Sequence, residues 1–434
     1  MTWRFCQDKT AEHIADSAMG AIMGMNEAAA QVGMDATRLG QIAPALQRFV
    51  DDGTIAGCTT LISRRGEIVH RASVGDRDRE AGLAMTDDTI FRIGSMTKPI
   101  VSTALMLLWE EGRFHLNAPV ATFLPAFAKT KVFAADGSLE EQGAPMTIRQ
   151  LLSHTSGLTY DFLEDSPAGA LYRNARIMND ATRTLEETVD AIAEIPLAAQ
   201  PGALWQYSVG IDVAARIIEV LSGQSLQNFL ATRLFDPLGM TETAYEVAEP
   251  NRDRLAAMYG LPDLVGPGFT ATDLMTAALA GANDRHDVSS TYPVDGGPAF
   301  ARGGLGLFST IDDYHRFASM LLSGRVSSGD RIIGRKTLEM MHSNHLSADM
   351  LPWGLMGLSN PGLGFGLGSR DAMDPAATGE AGSVGEFGWA GAAKTYYWVD
   401  PAEDMVGLFM AQYMTGPVTV KNTFRTLAYG AIDD

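Results

Sequence analysis

The sequence predicts an α/β (α+β) fold: one antiparallel sheet flanked by helices and assembled from both ends of the chain, with a mainly helical lobe inserted between them. Strand-like runs around short turns occur near each end, each run beside a helical pattern, and helical period dominates the middle. On this basis 1–35 is an N-terminal extension, 36–110 and 305–434 form the sheet domain, and 111–304 form the helical domain. A chain of 434 residues that is 46% hydrophobic is long enough to bury a core of that extent.

Taken in order, Asp35 precedes Leu39, Ile42, Leu46 and Phe49, whose spacings give one apolar helical face behind an N-cap. CTTLIS and EIVHRASV follow as strands rich in β-branched residues, joined by Arg64-Arg65-Gly66 with Gly66 supplying the positive φ of a tight turn. In the middle TIRQLLSH, TLEETVDAIAEI, VAARIIEVLSG, SLQNFLATRLF and TIDDYHRFASMLLSG carry helical period. Thr310, with Asp313 three residues on, makes a capping-box-like start for the last of them. Between Pro250 and Gly306, GLPDLVGPG and VDGGPAFARGGLG read as long loops of the kind that border sites in compact enzymes. The far end repeats the opening design: KTYYWV and MVGLFMAQY flank the turn Asp400-Pro401-Ala402-Glu403-Asp404, and a helix follows from Thr423 to Ile432.

Composition narrows the function. A formal charge of -19 without any run of Lys and Arg excludes nucleic acid and anionic membranes as partners and weighs against strongly anionic substrates. Cys6 and Cys58 are too few for a disulfide framework and read as free thiols. The first twenty residues lack the apolar run and cleavage site of a secretory signal, and no later stretch is long and apolar enough to span a bilayer, so the expected location is cytoplasmic.

The chemistry is concentrated in three places. Phe91-Arg-Ile-Gly-Ser95-Met-Thr-Lys98 begins a helix, and on its first turn Ser95 and Lys98 share a face, as a Ser-Lys nucleophile pair requires. Pro99 falls early enough to cost no helical hydrogen bond, and the helix N-terminus favours negative charge at the serine. An ordinary lysine is almost wholly protonated at pH 7, so Lys98 needs burial among Ile100, Ala104 and Leu105 to act as a base. Leu204-Trp-Gln-Tyr207-Ser-Val209 places a phenol where a loop opens into a second helix. Trp389-Ala390-Gly391-Ala392 runs into a strand near the C-terminus. SxxK alone is a weak signal, but SxxK, then Tyr-x-x, then a small-residue strand edge is the motif order of the penicillin-recognising serine hydrolases.

With these stretches the chain resembles the family VIII carboxylesterases, which are related to class C β-lactamases and DD-peptidases. FRIGSMTKPIVSTALMLLWEEGR, LLSHTSGLTYDF, WQYSVGIDVAARIIEVLSG, RGGLGLFSTIDDYHRFASMLLSG, LGFGLGSR and GWAGAAKTYYWVDPAEDMVGLFMAQ carry the likeness over most of 36–430. The resemblance implies a β-lactamase/transpeptidase-like fold, Ser95 as acylated nucleophile, Lys98 as its base and Tyr207 as proton relay. It also implies an oxyanion hole made by the backbone N–H groups of Ser95 and Ala392, with Gly391 letting the strand edge approach the substrate. Two positions depart from the lactamase pattern: Val209 stands where an amide would recognise a peptide-like side chain, and Trp389 stands where a lysine would meet a carboxylate. A carboxylate brought into that crevice would lose hydration without gaining a charged partner. The expected substrates are therefore small, uncharged, short-acyl esters, with Tyr160 and Phe162 on the pocket rim. The expected chemistry needs no metal or organic cofactor. A β-lactamase or D-amino-acid peptidase, an acyltransferase using the same site, and a non-catalytic binding protein are the alternatives.

Other residues invite roles that their context does not support. His154 in SHTSG has no Gly-x-Ser-x-Gly elbow to serve and reads as a structural donor. His342 and His345 have metal-like spacing but no acidic or Cys partner nearby in sequence. Arg302 reads as a loop anchor, and the 22 methionines as core filling.

Overall fold

Apolar, β-branched and aromatic runs around tight turns produce the sheet that both chain ends share. The structure, a computed structural model, describes residues 24–163, 167–178, 180–260, 283–296, 300–414 and 419–434. Cys6, the first part of the N-terminal extension and most of GLPDLVGPG lie outside the described residues. Eight strands, β1 (Gly57–Arg64), β2 (Glu67–Asp78), β3 (Leu83–Ala84), β4 (Leu363–Phe365), β5 (Arg370–Ala372), β6 (Phe387–Ala390), β7 (Thr395–Asp400) and β8 (Met405–Ala411), lie in the order β4-β5-β6-β7-β8-β1-β2-β3. Neighbours are antiparallel throughout. The two ends of the chain meet at the centre, where Cys58 pairs with Ala411 and Arg64 with Met405.

Seven helices frame this sheet and the site: α1 (Ile42–Asp51), α2 (Thr97–Glu110), α3 (Ile148–Leu152), α4 (Leu185–Ala193), α5 (Gly210–Ser222), α6 (Ile311–Ser323) and α7 (Thr419–Tyr429). Alternate residues of the central strands serve opposite faces. Cys58, Ile62, Trp398 and Phe409 join Ile42, Leu46 and Phe424 of α1 and α7 in one apolar cluster. Leu61, Tyr397 and Leu408 join Tyr314 and Phe317 of α6 in the other. Burial on both faces explains why these strands read as nearly continuous apolar runs. Across β7 and β8 Trp398 pairs with Gly407, and a Cβ at position 407 would stand 2.1 Å from Trp398 Cζ2. The indole occupies the space that the glycine leaves.

Helix α2 is buried on every side from Thr97 to Leu108, which is why IVSTALMLLW carries no amphipathic stripe. It packs against α5 and shares one continuous core with α3, α4, α5 and the sheet. Several local details differ from expectation. Asp35 caps Ala36–Leu39, but the chain breaks near Gly40 and resumes as α1, so one predicted helix is two. The first hairpin takes positive φ at Arg65 (+51°) as well as Gly66 (+85°), with the Arg65 guanidinium held 2.6 Å from Asp434 Oδ2. Thr310 accepts from Asp313 N as predicted, yet the Asp313 carboxylate turns to Glu242 N and Thr243, leaving the capping box half made. The last helix starts at Thr419, four residues earlier than its pattern suggested. Among the described residues no helix is long and apolar enough to cross a membrane.

Two predictions follow from this packing. Gly407→Ala should lower stability by about 1–3 kcal/mol through overpacking against Trp398, read as a lower urea midpoint; an unchanged midpoint would refute the tight cross-strand fit. On β5, burial pushes the Asp371 carboxyl up to about 7, with the Arg370 charge opposing, and one of its oxygens has no hydrogen-bond partner. The folded state then binds more protons than the unfolded state between roughly pH 4 and 7, so this residue subtracts stability as pH rises through that window. The stability difference between Asp371→Asn and the parent protein should grow from pH 4 to 7 and level off above; a pH-independent difference would contradict it.

Candidate active site

Ser95 sits on a 3₁₀ turn, Gly94–Met96, that feeds directly into α2. Lys98 is the second residue of that helix, 1% exposed, with Nζ 3.1 Å from Ser95 Oγ and 2.7 Å from the Gly304 carbonyl oxygen. The Ser-Lys contact that the spacing predicted is therefore formed. Pro99 falls in the first turn, where its missing N–H leaves no helical bond unmade.

The carbonyl that receives Lys98 is itself fixed from behind. Asp212, buried on α5, accepts from Gly303 N and Gly304 N at 3.0 Å each. A Cβ at Gly304 would lie 2.7 Å from Asp212 Oδ2, 3.0 Å from the Tyr160 hydroxyl and 3.3 Å from Lys98 Nζ. A glycine here lets an acid, a phenol and an amine converge on one backbone position. Asp212 escaped the sequence reading, although a lone carboxylate in the apolar run Gly210–Ala215 was a visible signal, since such groups are buried only with partners.

Tyr207 lies three residues ahead of α5, its ring centroid 4.7 Å from Lys98 Nζ, and its hydroxyl accepts from Trp389 Nε1 at 3.3 Å. Tyr160 stacks on Phe162 with centroids 5.0 Å apart and stands 5.1 Å from the Tyr207 ring. Burial first, then the nearby Tyr207 and Asp212, hold the Tyr160 hydroxyl well above its ordinary range, so it stays a neutral phenol at working pH. His154 packs edge-on against Tyr207 at 4.8 Å and bonds Ser208 through Nδ1. Burial and the Lys98 charge hold it well below 6.5, keeping the ring neutral.

Strand β6 brings the third element. Gly391 and Ala392 meet the segment that carries the serine: a Cβ on Gly94 would be 3.5 Å from Ala392 N, and one on Gly391 would be 2.4 Å from the Ile93 carbonyl oxygen. The missing side chain of Gly391 admits the protein's own backbone and the Thr395 hydroxyl, and the residue also lines the cleft.

These elements open onto a cleft of about 840 Å³ lined by Ser95, Tyr160, Phe162, Tyr207, Trp389 and Ala392 among others. Val209 is not on it; 1% exposed, it faces a separate void of about 10 Å³ beside Asp212 and Arg302, so its pairing with Trp389 as a second substrate contact does not arise. The expectation that the crevice holds no cation also changes, because Lys394 and Lys421 line the same cleft. Arg302 anchors carbonyls of Asp180, Arg183 and Thr184. His342 bonds Ser369 and stacks on Phe387, and His345 bonds Arg149 and the Met340 carbonyl. The two histidines are engaged by different partners.

Comparison with known proteins places the chain in a family. The chain matches the Beta-lactamase family over residues 42–430. It is 32% identical to esterase EstB of Burkholderia gladioli over 378 residues, covering 84% of this chain and 89% of the relative. It is equally 32% identical to protein Rv1367c of Mycobacterium tuberculosis, over 85% of this chain and 88% of that one. Among solved structures, EstCE1, described as a hydrolase with promiscuous acyltransferase activity, superposes with a TM-score of 0.74 at 25% identity, covering 91% of this chain and 99% of its own. The chain belongs to the Beta-lactamase family and, within that superfamily, to the family VIII carboxylesterases, serine hydrolases that act on ester bonds.

Proposed function

We propose that the protein hydrolyses carboxylic esters through an acyl-Ser95 intermediate, with Lys98 as base and Tyr207 as proton relay. The observation that carries this is the 3.1 Å contact between Lys98 Nζ and Ser95 Oγ at the wall of an aromatic cleft. In this mechanism the Lys98 amine takes the hydroxyl proton as Oγ attacks the carbonyl carbon. The oxyanion settles between the amides of Ser95 and Ala392, at the amino end of α2 where the helix dipole favours negative charge. Tyr207 passes a proton to the departing alkoxide, and water then attacks the acyl-enzyme by the reverse route. An alcohol acceptor competing with that water gives acyl transfer from the same intermediate, a second outcome suggested by the description of EstCE1.

Trp389, Tyr160 and Phe162 support an apolar acyl site. The cleft of about 840 Å³ has room for a drug-sized ligand, which favours acyl chains longer than the short ones expected from the sequence. p-Nitrophenyl octanoate should be turned over with kcat/KM at least equal to that of the acetate; a steep fall with chain length would refute this.

Ser95→Ala should abolish ester turnover and the acyl adduct seen by intact mass, and an adduct on a peptide lacking Ser95 would overturn the mechanism. Lys98→Ala and Tyr207→Phe should each lower kcat about a hundredfold or more; near-normal rates in either would remove its assigned role. Asp212→Ala, which frees the Gly303 and Gly304 amides, should cost about tenfold or more in kcat by misplacing the Lys98 acceptor. Asp212→Asn keeps the accepting oxygen and should retain most of the rate, so equal loss in both variants would deny the positioning role.

A further inference from the structure

The cleft has two chemically distinct parts, and the chain itself marks the passage between them. From Trp389 to Lys394 every residue lines it, so one wall runs from the aromatic side chains facing Ser95, past the Ala392 amide, to an ammonium group two residues beyond. Arg370, Lys421 and Arg425 line the cleft with Lys394. These four cations have two carboxylates among them. Glu386, fully buried, receives Arg370 and Arg425, and Glu380 stands 3.3 Å from Arg425 and 3.7 Å from Lys421. Lys421 additionally lies over the Tyr396 ring at 4.4 Å. Lys394 forms no ion pair among the described residues, although it is more than half buried and held at a positive φ of +63°.

A chain of formal charge -19 has thus placed a surplus of positive charge in the one cleft that holds its nucleophile. Partial burial of an ammonium without a counterion is unfavourable, and the cost is relieved when a ligand supplies the anion. Burial, with the Lys421 charge second, draws the Lys394 ammonium down to about 8, so it remains largely charged at neutral pH and gains from any negative group brought beside it. Field lines in a low-dielectric cleft make this local sign count for more than the net charge of a solvated surface.

We infer that Lys394, supported by Lys421, forms a carboxylate subsite, and that the preferred substrates are esters carrying a free carboxylate that reaches past Ala392. This rests on the esterase function proposed above and names the substrate class of that same site. The carboxylate can belong to the acyl group, as in a half-ester of a dicarboxylic acid, or to the alcohol, as in an ester of a hydroxy acid. The reaction is ordinary hydrolysis in either case: the acyl–oxygen bond breaks, water supplies the hydroxyl and the proton, and the carboxylate takes no part.

Two substrate pairs test the inference. Mono-p-nitrophenyl suberate against its methyl-capped diester places the charge on the acyl side, and 4-acetoxybenzoate against methyl 4-acetoxybenzoate places it on the alcohol side. The quantity read is the ratio of kcat/KM for acid to methyl ester on a single preparation, which cancels the fraction of folded enzyme. In at least one pair Lys394→Gln should lower that ratio roughly tenfold or more, the usual worth of a charge-assisted contact, and Lys394→Arg should keep it near the parental value. Lys421→Gln should lower the same ratio by a smaller factor, and the parental ratio should fall as salt is raised. Ratios indifferent to Lys394→Gln in both pairs would overturn the subsite while leaving Ser95-dependent turnover of the methyl esters, and with it the esterase function, intact. Turnover of the methyl esters that survives Ser95→Ala would instead defeat the esterase function.

Discussion

The end of strand β6 is pressed against the segment that carries Ser95, and what permits it is the absence of a side chain at Gly391. Any Cβ there would collide with the Ile93 carbonyl and the Thr395 hydroxyl. The contact joins the sheet to the start of α2. The strand register, set by Trp389 opposite Tyr397, determines where Ala392 falls, and the 3₁₀ turn at Gly94 determines where Ser95 falls. The Thr395 hydroxyl, donating to the Ile93 carbonyl at 3.1 Å, closes the joint. Two amides from elements almost three hundred residues apart in sequence are brought to one place by backbone geometry alone.

Around this joint the protein solves the problem of burying an amine. Lys98 lies inside a helix with no wet face, and its direct partners are a hydroxyl and a carbonyl. The Asp212 carboxylate lies one step removed, gripping the two glycine amides behind that carbonyl. This indirect arrangement fixes the position of Nζ with no carboxylate in contact with it and leaves it turned toward Ser95. The aromatic rings of Tyr207, Tyr160 and Trp389 complete the enclosure.

The sequence was legible where a local rule decides the outcome. Helix caps at Asp35 and Thr310, the two hairpins and the Ser-Lys spacing each depend on a few adjacent residues, and each forms. It was illegible where the determinant is three-dimensional. β4 and β5 are three residues each, too short for apolar alternation to announce them, and they are strands because β6 offers an edge to β5 and β5 offers one to β4. Val209 follows Tyr207 closely in sequence but points the other way, because the chain turns into α5 between them. Lys394 reads as the first residue of the strand KTYYWV, and no local pattern announces that the turn between β6 and β7 sets it on the cleft.

The pairing of β1 with β8 has a consequence for how the molecule comes into being. During synthesis Ser95, Lys98 and the whole of α2 leave the ribosome long before the strand edge that carries Ala392, and β1 waits with one side open until β8 arrives. Contacts of such long sequence separation pay loop-closure entropy before they return anything, which makes assembly slow and leaves an exposed edge in the meantime. The nascent chain therefore holds Ser95 and Lys98 without Ala392 beside them, and the cleft is completed late, with the last strands of the sheet.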